Sequence, residues 1–567
     1  MYFLGLSALA HDTAAALLST RGFVAAIEES KFTRSRTPGI PRAAMRFCLE
    51  SAGIAWRDVH AIAVASRPWR LWARRSAFRA RFLATAAASS MYYQSKALGE
   101  LAAELNNYRI LQSVTGDARV PLLCFDHQLC HAASAFYASS FDRALILTFD
   151  EQGGGQSGII ALGEAGKIGV LHASAFPNSL AWLYSQVTEL LGYRPHEHEH
   201  KTQWLSLTSE PKYVNTFLGM MRRPGTVYPK LDPRYFTRGF AGRLAFSQTF
   251  LAQFGIPARS PANLSEETRA AVASSLQRAC EIVVTDLAHD CRERYRVENL
   301  CVAGGLFLNP LLVAQLEKNA GFDKVFVQPA AGNEGTALGA AWLAERKMNP
   351  VSSARGMPHV YLGPSYSNEE IKRVLDNCKA TYRWITADQE GTQEAVNLLV
   401  AGKIVGWFHG AAEFGPRALG NRSLLASPWS PFVKENLNDY VKHREPFRPF
   451  ALSVPEEDAS KYFEAPTPAA RFVATMSRLR PEQGELLLAH VLPQRMVRLH
   501  VVAREPNPTY WSLLKAFGAQ SRAPILVNAS FNLFGEPLVI SPRDAVRSYF
   551  CSGVDALIIG NFLLVKS

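Results

Sequence analysis

Short apolar runs closed by polar turns recur along this chain. Tyr2-Phe3-Leu4-Gly5-Leu6 predicts a buried strand over residues 2–8, and a second strand is expected at 22–28 after the polar turn His11-Asp12-Thr13. The pattern changes at Gln128. From there to Tyr137 the chain is Ala-rich and lacks Gly and Pro, so helix is predicted. Four-residue spacing places His127 and His131 one above the other on a single face of it. The run Arg143-Ala144-Leu145-Ile146-Leu147-Thr148-Phe149 predicts a strand ending at Asp150 and the cluster Gly153-Gly154-Gly155. Helical periods follow at 180–191 and 266–296. The strand at Cys301 then runs into the tight turn Gly304-Gly305, where paired glycines let the backbone approach a ligand. Val325-Phe326-Val327 leads through the polar turn Gly332-Asn333-Glu334-Gly335 into a helix of small residues, its N-terminus facing the site. Residues 1–140 and 141–345 each open with strand, turn and strand, which fits an internal duplication.

The stretch from Pro350 to Pro364 is polar, proline-bearing and without period, so a linker is placed at 349–365 between domains 1–348 and 366–567. The second domain repeats one kind of chemistry. Arg417 lies in Glu413-Phe414-Gly415-Pro416-Arg417-Ala418-Leu419-Gly420-Asn421-Arg422, and Lys442, Arg444 and Arg448 lie in a Pro- and Phe-bearing loop. Arg498 follows, then Asn528-Ala529-Ser530-Phe531-Asn532. Cations set among Gly, Pro and aromatic residues suit recognition of a polyanion such as a nucleoside triphosphate.

With 567 residues the chain exceeds one core, and its 48% hydrophobic and 19% charged content excludes a disordered protein. A net charge of +12 admits anionic partners without choosing among them. The eight cysteines form no C-x-x-C pair, which argues for a reducing compartment and against a disulfide frame or zinc ribbon. The apolar start lacks a basic leader, and no run is long enough to span a bilayer, so a cytoplasmic protein is expected. His127, His131 and Asp150 admit two readings: a divalent-metal site with open coordination positions, or one surface histidine, one core histidine and a turn aspartate. The alternation His196-Glu197-His198-Glu199-His200 reads as a solvated loop rather than a metal site, and Lys201 beside it as a phosphate or carboxylate partner. Between Ser66 and Phe82 stand six arginines and no acid. Their four-residue spacings repel on a helix, so an anion is expected to offset them.

Taken together, the motifs carry a resemblance. They are the His11-Asp12-Thr13-Ala14-Ala15-Ala16-Leu17 start, the His127/His131 helix, Ala303-Gly304-Gly305 with Leu308-Asn309, and Pro329-Ala330-Ala331-Gly332 with Ala337-Leu338-Gly339. The Glu413-to-Ser423 run, the Lys442-to-Ala451 stretch and the Asn528-to-Pro537 stretch complete the set. Over nearly its whole length the chain resembles the ATP-dependent O-carbamoyltransferases that tailor nodulation factors and antibiotics. That resemblance implies an α/β fold: a duplicated actin-like (ribonuclease H-like) N-terminal domain, similar to the tRNA threonylcarbamoyl-transferring proteins, and a second α/β domain of the threonylcarbamoyl-adenylate-synthase type. It implies that the second domain turns ATP and carbamoyl phosphate into carbamoyl-adenylate. The first would then pass the carbamoyl group to a hydroxyl of a small molecule, in a natural-product tailoring step. A divalent metal is implied, Fe2+ foremost, with Mg2+ accompanying ATP. The metal ligands would be His127, His131, Asp150 and Asn333, and His11 the catalytic base. Asp12, Lys201, Gly304, Gly305 and Asn309 would meet the nucleotide. Arg417, Lys442, Arg444, Arg448, Arg498, Asn528, Ser530 and Asn532 would take ATP and carbamoyl phosphate.

Three departures from the family pattern stand out. Asn333 replaces an Asp and removes a charge, which predicts weaker iron binding or a different ion, with Glu334 as a substitute ligand. Glu151 replaces a Gly, and the glycines near Lys201 give way to His200, Trp204 and Ser206. Two other readings compete: a tRNA-modifying threonylcarbamoyl-type transferase, prompted by the basic charge, and a noncatalytic nucleotide-binding regulator. The C-terminal motifs disfavour nucleic acid as a partner, and a homodimer is allowed. The basic stretch from Arg67 to Arg81 is expected to line the entrance for an aromatic, acidic or lipid-like acceptor.

Overall fold

A computed structural model describes residues 1–8, 12–36, 38–67, 108–116, 118–221, 227–236, 246–256, 264–350, 356–385, 387–430, 432–483, 487, 490–533 and 535–566. Every count of elements below refers to these. His11 and the basic stretch from residue 68 to 82 lie outside the described residues. The chain forms two compact units. Unit 1 holds Met1–Glu29 and Arg36–Met357, and unit 2 holds Ser30–Ser35 and Pro358–Ser567.

Unit 1 contains two five-stranded sheets built on one plan. The first comprises β1 (Tyr2–Ser7), β2 (Ala14–Ser19), β3 (Gly22–Glu28), β4 (Val59–Val64) and β5 (Leu122–Cys124) in the order β3-β2-β1-β4-β5. The second comprises β6 (Arg143–Gly153), β7 (Gln156–Glu164), β8 (Lys167–Ala175), β9 (Asn299–Ala303) and β10 (Lys324–Val327) in the order β10-β9-β6-β7-β8. In each, three consecutive strands pair antiparallel, and two later strands add in parallel beside the first of them. This repeated plan is the duplicated actin-like, ribonuclease H-like fold. Strand β2 is not evident in the hydrophobic pattern, because its Ala-Ala-Ala run has low strand propensity. Its position between β1 and β3, with Ala14–Leu18 fully buried, overrides that.

The helices His127–Ser139 and Thr336–Met348 pack on each other, and the latter also packs on β1. Glycines permit this approach: a Cβ at Gly339 would collide with the Cys130 carbonyl, and one at Gly5 with the Ala337 carbonyl. The close fit fixes the helix that carries both imidazoles.

Unit 2 is built on a ten-stranded mixed sheet. Its strands are β11 (Arg383–Trp384), β12 (Val405–Phe408), β13 (Arg422–Ala426), β14 (Ala451–Pro455), β15 (Phe463–Glu464), β16 (Met476–Leu479), β17 (Met496–Val502), β18 (Leu526–Ser530), β19 (Ala556–Ile559) and β20 (Phe562–Val565). They run in the order β11-β20-β19-β12-β13-β18-β14-β17-β16-β15. Separate apolar clusters, one around Phe408, Leu452 and Val527 and one around Trp407, Leu513 and Phe517, cover its strands.

Candidate active site

In unit 1, His127 opens its helix and His131, fully buried, follows one turn later. Asp150 lies on β6, which packs against that helix. His127 Nε2 stands 3.0 Å from Asp150 Oδ2 and 3.1 Å from His131 Nε2, and His131 Nε2 stands 3.6 Å from the same carboxylate oxygen. Ligands about 2.1 Å from a common ion, subtending angles of about 90° to 120°, are spaced by about 3.0–3.6 Å. The three atoms therefore fit around one divalent cation, and they form a possible metal-ligand group among the described residues. Burial pushes the His131 imidazole below its ordinary value despite the Asp150 hydrogen bond, which keeps it neutral and able to ligate. Burial alone would push Asp150 up, but hydrogen bonds and charge from both histidines hold its carboxyl well below the usual range. Gly153 completes the niche, since a Cβ there would occupy the His127 ring.

The short turn Asn333–Gly335 packs against the histidine-bearing helix, and Asn333 is buried there. Glu334 is not part of the histidine–aspartate group. Burial, reinforced by Asp12 and Glu28, pushes its carboxyl up to about 8, and a neutral carboxyl is a poor cation ligand. Asp12 sits at positive φ with Arg36 Nε 3.6 Å from its carboxylate.

The other predicted residues of unit 1 occupy different places. Gly304, at φ +102°, runs against β6, where a Cβ would collide with the Phe149 carbonyl, and a Cβ at Gly305 would lie 3.3 Å from Asp150 Oδ1. This turn therefore abuts Asp150 of the candidate metal-ligand group. Asn309 caps the helix Pro310–Asn319, accepting from the Leu311 and Leu312 amides and donating to Gln277 Oε1 at 2.7 Å. Its side-chain amide is engaged with protein groups. Lys201 stands over the Tyr193 ring, 5.5 Å from its centre. Glu151 pairs with His196 Nδ1 at 2.7 Å, so one departure from the family pattern is answered by a residue of the histidine-rich loop. Arg67, first of the basic stretch, has its charge met by Asp126 at 3.3 Å.

Unit 2 brings its predicted cations together. Arg498 on β17 and Asn528 on β18 both pair in register with Ala451 of β14, so the two side chains share one face of the sheet. Lys442 ends a π-helical turn, Asn436–Lys442. Its Nζ donates to the Ser530 carbonyl, to the Asn532 carbonyl at 2.9 Å and to Asn532 Oδ1 at 2.7 Å. Arg444 donates to Asn438 Oδ1 at 2.7 Å and stacks on Phe450. Burial, then Arg417, Arg444 and Arg448, push the Arg498 guanidinium well below its ordinary value. Burial, then Arg444 and Arg448, do the same to the Lys442 ammonium. Glu445, 4.0 Å from Arg448, opposes this shift at Arg444 and Arg448. An arginine does not deprotonate in practice, so the crowding stays as concentrated positive charge.

Residues that sequence reasoning left without a role build this cradle. Glu413 is fully buried, and its Oε1 accepts from the amides of Leu419 at 2.7 Å, Asn421 at 3.0 Å and Arg422 at 3.2 Å. Arg422 is equally buried and donates to the carbonyls of His409, Asn421, Pro364 and Gly410. Both shape the loop that displays Arg417. A charged pair flanking a Gly-Pro-Arg run was a visible signal of such a frame.

These geometries meet the comparisons with known proteins. A carbamoyltransferase N-terminus family model matches residues 2–342, and a carbamoyltransferase C-terminus family model matches residues 396–566. The class is that of a group-transfer enzyme. The chain belongs to the carbamoyltransferase family. It is 35% identical over 609 residues to an uncharacterized protein of Synechocystis sp., covering 100% of this chain and 97% of that one. It is 34% identical over 444 residues to the nodulation protein NolO of Bradyrhizobium diazoefficiens, covering 78% and 79%. A 3'-hydroxymethylcephem-O-carbamoyltransferase of Amycolatopsis lactamdurans is 33% identical over 265 residues, covering 46% and 48%. No helix among the described residues is long and apolar enough to cross a membrane.

Proposed function

We propose that this carbamoyltransferase activates carbamoyl phosphate with ATP in the region 366–567 and transfers the carbamoyl group to a small-molecule hydroxyl in the region 1–348, with 349–365 as linker. Carbamoyl phosphate, ATP and water would give carbamoyl-adenylate, pyrophosphate and phosphate. The nitrogen lone pair makes a carbamoyl carbon a poor electrophile, and AMP as leaving group raises its reactivity. The observation that carries this reading is the crowding of Arg417, Arg444 and Arg448 around Arg498, a cradle for several negative charges at once. Its work would be positioning and charge neutralisation. Lys442, whose three N–H donors go to Ser530 and Asn532, would add positive charge beside the phosphates, and Asn528 would hold the loop of Arg417 through its bond to the Ala418 carbonyl.

In unit 1, His127, His131 and Asp150 would hold a divalent ion, with Asn333 as a neutral fourth donor. Fe2+ is the favoured ion. When bound, it would supply Lewis-acid polarisation of the carbamoyl group. His11 is the proposed base that takes the acceptor hydroxyl proton, a role worth about 10² to 10⁴ in rate. The glycine turn at Gly304 and Gly305 would give the nucleotide its closest approach to the backbone. The acceptor would be a hydroxylated natural product, as the relatives' names suggest. The test is pyrophosphate release from ATP that requires carbamoyl phosphate, with Arg498→Ala at least a hundredfold slower. Equal rates with and without carbamoyl phosphate would reject the reading.

A further inference from the structure

A short piece of the N-terminal chain belongs to unit 2. The chain leaves unit 1 after Glu29 and returns at Arg36, and the six residues between, Ser30–Ser35, form part of unit 2. Within this piece Lys31 and Arg34 lie three apart. Lys31 is 3% exposed, and its Nζ donates to the Glu413 carbonyl at 2.6 Å and the Gly415 carbonyl at 3.0 Å. Arg34 donates to the Leu538 carbonyl at 2.7 Å, the Pro537 carbonyl at 2.6 Å and Glu536 Oε2 at 3.0 Å.

Each cation thus grips a loop that carries part of the cradle. Lys31 fastens the backbone on the N-terminal side of Arg417, where Glu413 already gathers the Leu419, Asn421 and Arg422 amides on the other side. Arg34 fastens the loop after β18. There the Glu536 carbonyl takes the Asn532 amide at 2.5 Å, and Asn532 Oδ1 takes Lys442 Nζ. The arginines of the cradle repel one another, so a loop displaying one of them drifts outward unless its backbone is held. The buried Lys31 ammonium and the half-buried Arg34 guanidinium supply that hold, because leaving several carbonyls unmatched is costly.

We infer that Lys31 and Arg34 are positioning residues of the anion cradle, and that residues 30–35 are a working part of the activating unit. The inference rests on the anion-activating role proposed above. Removing either side chain should loosen the loops and weaken anion binding without removing a group that touches the substrate.

The test uses the full chain and titration calorimetry with ATP and with carbamoyl phosphate. Lys31→Met and Arg34→Met should each weaken both ligands at least tenfold, and Lys31→Arg should recover most of the loss at position 31. Amide exchange at Leu419 and Asn421 should quicken in Lys31→Met, while its thermal midpoint stays within a few degrees of the parent. Arg34→Lys, which keeps charge but loses the forked contact, should weaken binding at least threefold, and it decides the matter if either Met variant fails to fold. Affinities in Lys31→Met and Arg34→Met within twofold of the parent would overturn the inference. A parent protein that binds neither ligand would instead overturn the activating role itself.

Discussion

The candidate metal-ligand group depends on a missing atom. Gly153 is not at positive φ, so a side chain there meets no backbone penalty, only the His127 ring. Gly153→Ala should therefore displace the imidazole while leaving the strand intact. Affinity for Fe2+, or for Co2+ as a spectroscopic stand-in, should fall at least tenfold, about 1.4 kcal/mol. Metal titration followed in the visible spectrum checks this, and unchanged affinity would place the ion elsewhere. The histidine pair and Asp150 were legible in the sequence because helical spacing and a strand end are local facts. The capping role of Asn309 was not, because a capping asparagine and a ligand-binding asparagine look alike until the next helix is in place. Glu151 and His196 were each visible as oddities, but their pairing joins distant stretches of chain that no local pattern connects.

Among elements, the loop Glu413–Arg422 shows how a frame displays a charge. One buried carboxylate oxygen satisfies three backbone amides, and Arg422 covers carbonyls on the flanking turns. Glu413→Ala would strand those amides, and each buried unmatched donor costs about 1–3 kcal/mol. Unit 2 should lose at least about 2 kcal/mol in urea unfolding. The KM for carbamoyl phosphate should rise more than kcat falls, since Arg417 is misplaced rather than removed. A variant with parental KM would mean that the loop holds its shape without the carboxylate. The conspicuous arginines of this run drew attention, whereas Glu413 and Lys31 act through main-chain groups and leave no spacing to read. The two sheets of unit 1 were anticipated from their strand-turn-strand openings, but the alanine strand β2 needed its neighbours to become visible.

At the scale of the whole chain, buried histidines set a pH dependence that belongs to unit 2. Burial and the Arg422 charge push His409 down to about 3, burial pushes His500 to about 3, and burial with the Lys434 charge pushes His490 to about 4. Each is neutral in the folded unit at any pH above those values, while the unfolded chain protonates them near their ordinary 6.5. Between 6.5 and the folded value the unfolded state binds more protons, so stability falls as pH falls. It is fully present above 6.5. Well below 6.5 each histidine approaches a slope of about 1.4 kcal/mol per pH unit, so the three together take about 4 kcal/mol between pH 7.5 and 5.5, about 3 of it in the unit below 6.5. Carboxylates titrate lower, which leaves pH 7.5 to 5.5 as a window where the histidines dominate. Pulse proteolysis in urea, with fragments of unit 2 followed separately, should show its midpoint dropping across that window. His409→Gln removes one titrating group and should flatten the drop by about a third; a midpoint that stays level in the parent would mean that these imidazoles reach water in the folded state. The same burial that makes unit 2 acid-sensitive surrounds Arg498 and Lys442, so a bound anion should restore part of the lost midpoint at pH 5.5 by binding only the folded form. Saturating ATP and carbamoyl phosphate should raise it there, and Arg498→Ala should abolish that rise while keeping the histidine slope.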